Sequence, residues 1–121
     1  MANKNLMIWG GIILALIVIV FLSFSGSGNH DEFAQCLTDS DVKFFGAFWC
    51  PHCANQKSLI GNSMSKINYI ECSLPDKSAQ TQICIDEDIQ TYPTWEFRDG
   101  SRVTGVQSLQ QLSELSGCEL G

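Results

Sequence analysis

Hydrophobic and polar residues alternate in different ways along this chain, and each pattern predicts a different element. From Leu6 to Phe24 the sequence LMIWGGIILALIVIVFLSF carries no charge. As a helix it would be about 28 Å long at ~1.5 Å per residue, close to the roughly 30 Å thickness of a bilayer's hydrocarbon core. Ser23-Phe24-Ser25 offers a small-x-small cleavage site, but a secretory signal normally has an apolar stretch of only about 7–15 residues, so the length favours an uncleaved anchor. Lys4 precedes the run, while Asp31 and Glu32 follow it. By the charge rule for membrane orientation, the N-terminus is cytoplasmic and everything after the run lies outside. The expected organisation is a short cytoplasmic N-terminus at 1–5, a transmembrane signal-anchor helix at 6–24, a flexible tether at 25–30 and one globular domain at 31–121.

Within that domain the patterns are shorter. Asn29 with Glu32 reads as a capping box opening a short helix to about Leu37. Val42–Trp49, VKFFGAFW, is a nearly continuous apolar run, as expected of a strand covered on both faces. After Cys50, Pro51 fits the first turn of a helix that Gly61 can end. INYIEC at 67–72 alternates and predicts a second strand, and 78–88 a further helix. Strands at 94–97 and 101–106 flank Asp99-Gly100, a strong hairpin signal. Ser108 with Gln111 is a second capping box, for a last helix closed by Gly117. The predicted order α-β-α-β-α-β-β-α belongs to an α/β open sheet.

Composition and charge narrow the function. What remains after the apolar run is enough for one small domain, which excludes a two-domain enzyme. All 13 acids follow the run, against Lys43, Lys57, Lys66, Lys77, Arg98 and Arg102. No basic cluster speaks for a nucleic-acid partner or an anionic lipid surface. The six cysteines, at 36, 50, 53, 72, 84 and 118, suit an oxidising compartment. Four of them are most simply structural. Position favours Cys72–Cys84 as a local bridge and Cys36–Cys118 as a bridge between the ends of the domain, with Cys36–Cys72 plus Cys84–Cys118 also open. In the chain-entropy model the favoured pairs stabilise by roughly 3 and 4.5 kcal/mol.

Cys50-Pro51-His52-Cys53 is the arrangement with chemistry of its own. At a strand-to-helix junction Cys50 meets the free N–H groups and positive end of the helix dipole, which favour a thiolate. Cys53, one turn on, would lie beneath it and resolve a mixed disulfide. Pro51 and His52 would tune the redox poise, the His52 imidazole by donating a hydrogen bond to the Cys50 sulfur or by lying near it, and a stabilised thiolate makes the disulfide a stronger oxidant. Structural zinc wants four ligands in closely spaced pairs, which the distant Cys72 and Cys84 do not supply, so no metal is expected. Ala54 follows the motif where c-type haem attachment needs a histidine.

Phe48-Trp49-Cys50-Pro51-His52-Cys53 resembles a thioredoxin-family active site with the dipeptide of DsbA-type oxidants, and Tyr92-Pro93-Thr94 falls where that family has its cis-proline. FFGAFWCPHCANQK, YIEC, IQTYPTWEF and TGVQSLQQLSELSG extend the likeness over residues 33–118. It is similar to the thioredoxin-like domain fused to, or partnered with, bacterial and plant homologues of vitamin K epoxide reductase (VKOR). The resemblance implies a thioredoxin fold, a central mixed sheet with flanking helices, following the transmembrane helix. It implies Cys50 as nucleophile, Cys53 as resolving cysteine, a cis Pro93, and Trp49, Tyr92 and Thr94 as substrate-binding residues. It also implies a disulfide donor to exported protein thiols, with no cofactor beyond its redox-active disulfide, reoxidised by a VKOR-type quinone-linked membrane protein. Two departures stand out. Thioredoxin keeps a buried acid on the strand before the motif, where this chain has Phe44-Phe45-Gly46, leaving water or Glu71 to take the Cys53 proton. The single span also lacks a quinone-reducing bundle, so that activity must come from a separate protein. The competing readings are a membrane-anchored reductase, as in cytochrome maturation, and a non-catalytic interaction module with a permanent C-x-x-C bridge.

Overall fold

The computed structural model describes residues 4–24 and 30–120, with side chains over 4–20 and 30–120. Helix α1 spans Lys4–Phe24. Among the described residues no helix is long and apolar enough to cross a membrane. The expected transmembrane anchor at 6–24 is therefore carried by the sequence alone. Most of the tether, and the Asn29 half of the first capping box, lie outside the described residues.

The remaining elements follow the expected order: α2 (Asp31–Asp39), β1 (Lys43–Gly46), α3 (Pro51–Ile60), a 3₁₀ segment (Gly61–Lys66), β2 (Tyr69–Glu71), α4 (Gln82–Asp86), β3 (Thr94–Glu96), β4 (Arg102–Thr104) and α5 (Leu109–Ser116). The sheet order is β2-β1-β3-β4. β1 pairs parallel with β2, Gly46 facing Glu71, and antiparallel with β3, Phe44 facing Trp95. β3 and β4 are the hairpin arms. The apolar run is covered on both faces of β1, as expected. Phe44 packs in the larger core with Leu37, Trp95 and Leu112, while Phe45 packs in a second core with Cys72, Cys84 and Ile89. Phe44 also stacks on Trp95, with ring centroids 4.7 Å apart.

Several boundaries differ from the sequence reading, each for a local reason. α2 is capped by His30, with no side-chain capping bond. β1 stops at Gly46 because Cys50 N–H donates to the Ala47 carbonyl and closes a turn. α4 starts at Gln82 instead of Ser78. Asp76 accepts hydrogen bonds from the Ser78 N–H and hydroxyl, and Gln80 pairs with Ser73 in an antiparallel bridge. These bonds compete with helix formation. The hairpin arms are shorter than predicted, joined through Gly100 at φ 84°. α5 keeps its full capping box, Ser108 with Gln111, and ends at Gly117 in the left-handed conformation. Disulfides join Cys36 to Cys118 and Cys72 to Cys84.

Candidate active site

Cys50 is the N-cap of α3, with extended backbone (φ −79°, ψ 122°) and Pro51 in the first turn. Its position follows from β1 and the turn at 47–50, which bring the chain to the end of the sheet and start a helix whose first N–H groups lack internal partners. Cys53, one turn along, faces the core. Both sulfurs are free thiols here. Cys50 is 7% exposed and Cys53 0%. Cys50 is thus the more accessible of the two, although it too is buried. The Tyr92–Pro93 peptide bond is cis, and the Tyr92 carbonyl lies 3.9 Å from Cys50 Sγ.

Trp49 donates its indole N–H to Ser73 Oγ at 2.8 Å and meets Tyr92 edge-on, ring centroids 6.2 Å apart. Thr94 is placed differently from expectation. It is buried, and its hydroxyl donates to the Thr91 carbonyl at 2.6 Å, so its side chain is not offered to a substrate. His52 also departs from expectation: it is exposed, and no hydrogen bond joins it to Cys50. Two residues, a little over half a helical turn, carry that ring outward while the Cys50 sulfur turns under.

Burial is the main reason the Cys53 thiol is pushed up from 9.0 to about 11, with the Ala47 backbone and Lys57 acting in the opposite direction. Lys57 is half-buried, its Nζ 4.1 Å over the Tyr69 ring. Gly46 makes this packing possible: a Cβ there would sit 3.0 Å from Cys53 Sγ and 3.1 Å from the Tyr69 ring. The Tyr69 hydroxyl is itself raised well above its ordinary pKa, by burial and then by Glu71. Glu71 has both carboxylate oxygens engaged. It accepts from the Tyr69 hydroxyl at 3.0 Å, from Phe48 N–H at 3.2 Å and from Ser73 N–H at 3.0 Å. Its side chain holds the loop that leads into Cys50.

Sequence reasoning missed Tyr69, Ser73, Gln80 and Gln56. A single polar group in a loop, on a helix or at the start of a strand, as for Tyr69 on β2, gives no periodic signal that marks it as an organiser.

The raised Cys53 pKa predicts a pH effect. Between about pH 9 and 11 the unfolded chain gives up a thiol proton that the folded chain keeps. Stability of the reduced form should therefore fall as pH rises through that window and be unaffected by this group below it. Denaturation midpoints measured across the window should show the slope, and Cys53→Ala should flatten it. An unchanged slope in the variant would refute the assignment.

The sheet order, the cis-proline loop facing the sulfurs and the dithiol at the helix N-terminus define a thioredoxin-like fold bearing a C-x-x-C pair. No family model matches the chain. It is similar to the thiol-disulfide oxidoreductase LTO1 of Arabidopsis thaliana, 35% identical over 103 residues. The match covers 82% of this chain and 27% of that relative, so the chain spans about a quarter of the relative's length. The similarity supports a thioredoxin-like oxidoreductase.

Proposed function

We propose that this chain is a membrane-anchored thiol–disulfide oxidoreductase that donates disulfides to exported protein thiols. In this reading the anchor is the apolar run at 6–24 and the catalytic domain lies on the extracytoplasmic side. The carrying observation is the asymmetry of the pair: Cys50 caps α3 beside the Tyr92 carbonyl, and Cys53 is sealed beneath it. In the oxidised enzyme a substrate thiolate attacks Cys50 Sγ and breaks the Cys50–Cys53 bond. Cys53 leaves with the electron pair and, with a pKa of about 11, takes up a proton at neutral pH. The substrate's second thiolate attacks its own sulfur in the mixed disulfide and releases Cys50. The substrate gains a disulfide and the enzyme gains two electrons. No redox cofactor takes part. A VKOR-type quinone-linked membrane protein then accepts the electrons. The name of the plant relative supports the exchange chemistry, while the oxidising direction rests on the resemblance of Cys50-Pro51-His52-Cys53 to the motif of DsbA-type oxidants.

The test is the reduction potential of Cys50–Cys53 in the full chain, from glutathione equilibrium read by mass spectrometry. A value between about −120 and −200 mV is expected for a donor. A value near −270 mV would instead make it a reductase, and one below roughly −300 mV would make the bridge a permanent structural bond.

A further inference from the structure

We infer that Ser73 and Gln80 are positioning residues that fix the two aromatic rings beside Cys50, setting the geometry in which Trp49 and Tyr92 meet a peptide substrate. What the rings meet rests on the exchange reading above; how they are held rests on geometry alone. Ser73 and Gln80 face each other in an antiparallel bridge, which a bond from Leu74 N–H to the Ala79 carbonyl continues. The Cys72–Cys84 disulfide closes the segment. From this bridge one side chain reaches each ring. Ser73 donates its own hydroxyl proton to the Leu74 carbonyl at 2.9 Å and accepts the Trp49 indole N–H at 2.8 Å. The Gln80 amide donates to the Tyr92 hydroxyl and to the Ile89 carbonyl, both at 2.7 Å. The rings so held touch edge-on, and the Tyr92 backbone carbonyl lies beside Cys50 Sγ.

The exposure of Trp49 separates positioning from simple packing. Trp95 is fully buried, so its N–H needs a protein partner and finds it in Gln56. Trp49 is 46% exposed, and water could satisfy its N–H. Its bond to a buried serine therefore orients the ring more than it compensates for lost solvent. The neighbouring Phe48 and Leu74 are also exposed apolar side chains. With Trp49 they give a peptide chain exposed apolar surface to contact, which a small thiol attacking Cys50 does not need.

The test uses the full chain in detergent micelles, with two substrates: a short synthetic peptide carrying two cysteines among apolar residues, and reduced glutathione. Ser73→Ala and Gln80→Ala are each expected to raise KM for the peptide about fivefold, the equivalent of one hydrogen bond of about 1 kcal/mol. Peptide kcat and the glutathione rate should stay within about twofold. Ser73→Thr, which keeps the hydroxyl, should restore KM. Hydrogen exchange at the Trp49 indole N–H, followed by NMR, should speed up in Gln80→Ala as well as in Ser73→Ala, because the bridge couples the two. A parallel fall in peptide and glutathione rates would overturn the inference by making the bridge a plain support for Cys50. So would a Trp49 N–H in Gln80→Ala that exchanges as in the wild type. If the wild type exchanges with neither thiol, the exchange reading fails, and the indole measurement alone decides whether the bridge holds the rings.

Discussion

Cys53→Ala in the full-length chain should accumulate a stable mixed disulfide through Cys50, whereas Cys50→Ala should accumulate almost none. Both variants should lose essentially all turnover. The expectation comes from burial and order of attack. Cys50 is the sulfur an incoming thiolate can reach, beside the Tyr92 carbonyl, while Cys53 is fully covered. With Cys53 removed, the Cys50 thiolate can still attack a disulfide of the electron-accepting membrane protein, releasing one of that protein's cysteines as a thiolate. The intramolecular thiolate that would resolve the bond is gone, so the adduct persists. With Cys50 removed, the remaining thiol is shielded by the core and, with a pKa of about 11, is almost wholly protonated at neutral pH; thiols attack disulfides as thiolates. Non-reducing electrophoresis of cells expressing each variant, followed by mass spectrometry of the adducts, makes the comparison. Equal trapping by the two variants would sink the assignment of nucleophile and resolver. Trapping by Cys50→Ala alone would reverse it.

Residues whose role depends on local order in the chain are legible in the amino-acid sequence. The apolar VKFFGAFW run, the Cys50-Pro51 junction, the Asp99-Gly100 turn and the Ser108–Gln111 capping box each specify an element through sterics or hydrogen bonds to near neighbours. These set the element order and put the dithiol at a helix N-terminus. The exposure of individual side chains is not legible in the same way. His52 and Cys50 are two residues apart, yet one faces solvent and the other turns under the loop, a difference set by the turn at 47–50 and by Tyr92 from far along the chain. Thr94 follows the cis-proline and so reads as available, but β3 turns its hydroxyl back to Thr91. Glu71, expected to be free to take a proton, is occupied by donors on three different residues. Contacts between residues distant in sequence decide the first of these and, through Phe48, part of the third; the local path of the backbone decides the rest, and period and motif record neither.

Gln56 is the clearest case of a role set by distant contacts, and its replacement by leucine should be strongly destabilising. It lies on α3 one turn beyond Cys53 and is fully buried. Its Oε1 accepts the Trp95 indole N–H at 3.1 Å and the Gln107 N–H at 2.7 Å, and its Nε2 donates to the Gln107 carbonyl at 2.9 Å. One side chain thus ties α3 to β3 and to the segment entering α5. Gln56→Leu keeps an apolar body but leaves three polar groups without their partner. Each costs about 1–3 kcal/mol when it stays buried. Some relief through water is expected at Gln107, which is only half-buried, and little at Trp95. The net loss should be about 3–5 kcal/mol, or on the order of 15–25 °C in Tm for a domain of this size. Chemical denaturation of the oxidised full chain measures it. A loss below about 1 kcal/mol would mean that the 105–107 segment swings into solvent without penalty and is not held by α3. Loosening α3 should also uncover Cys53, so reduced Gln56→Leu should be alkylated at Cys53 faster than the wild type at pH 8. A large stability loss with Cys53 labelling unchanged would separate the two effects and confine Gln56 to holding β3.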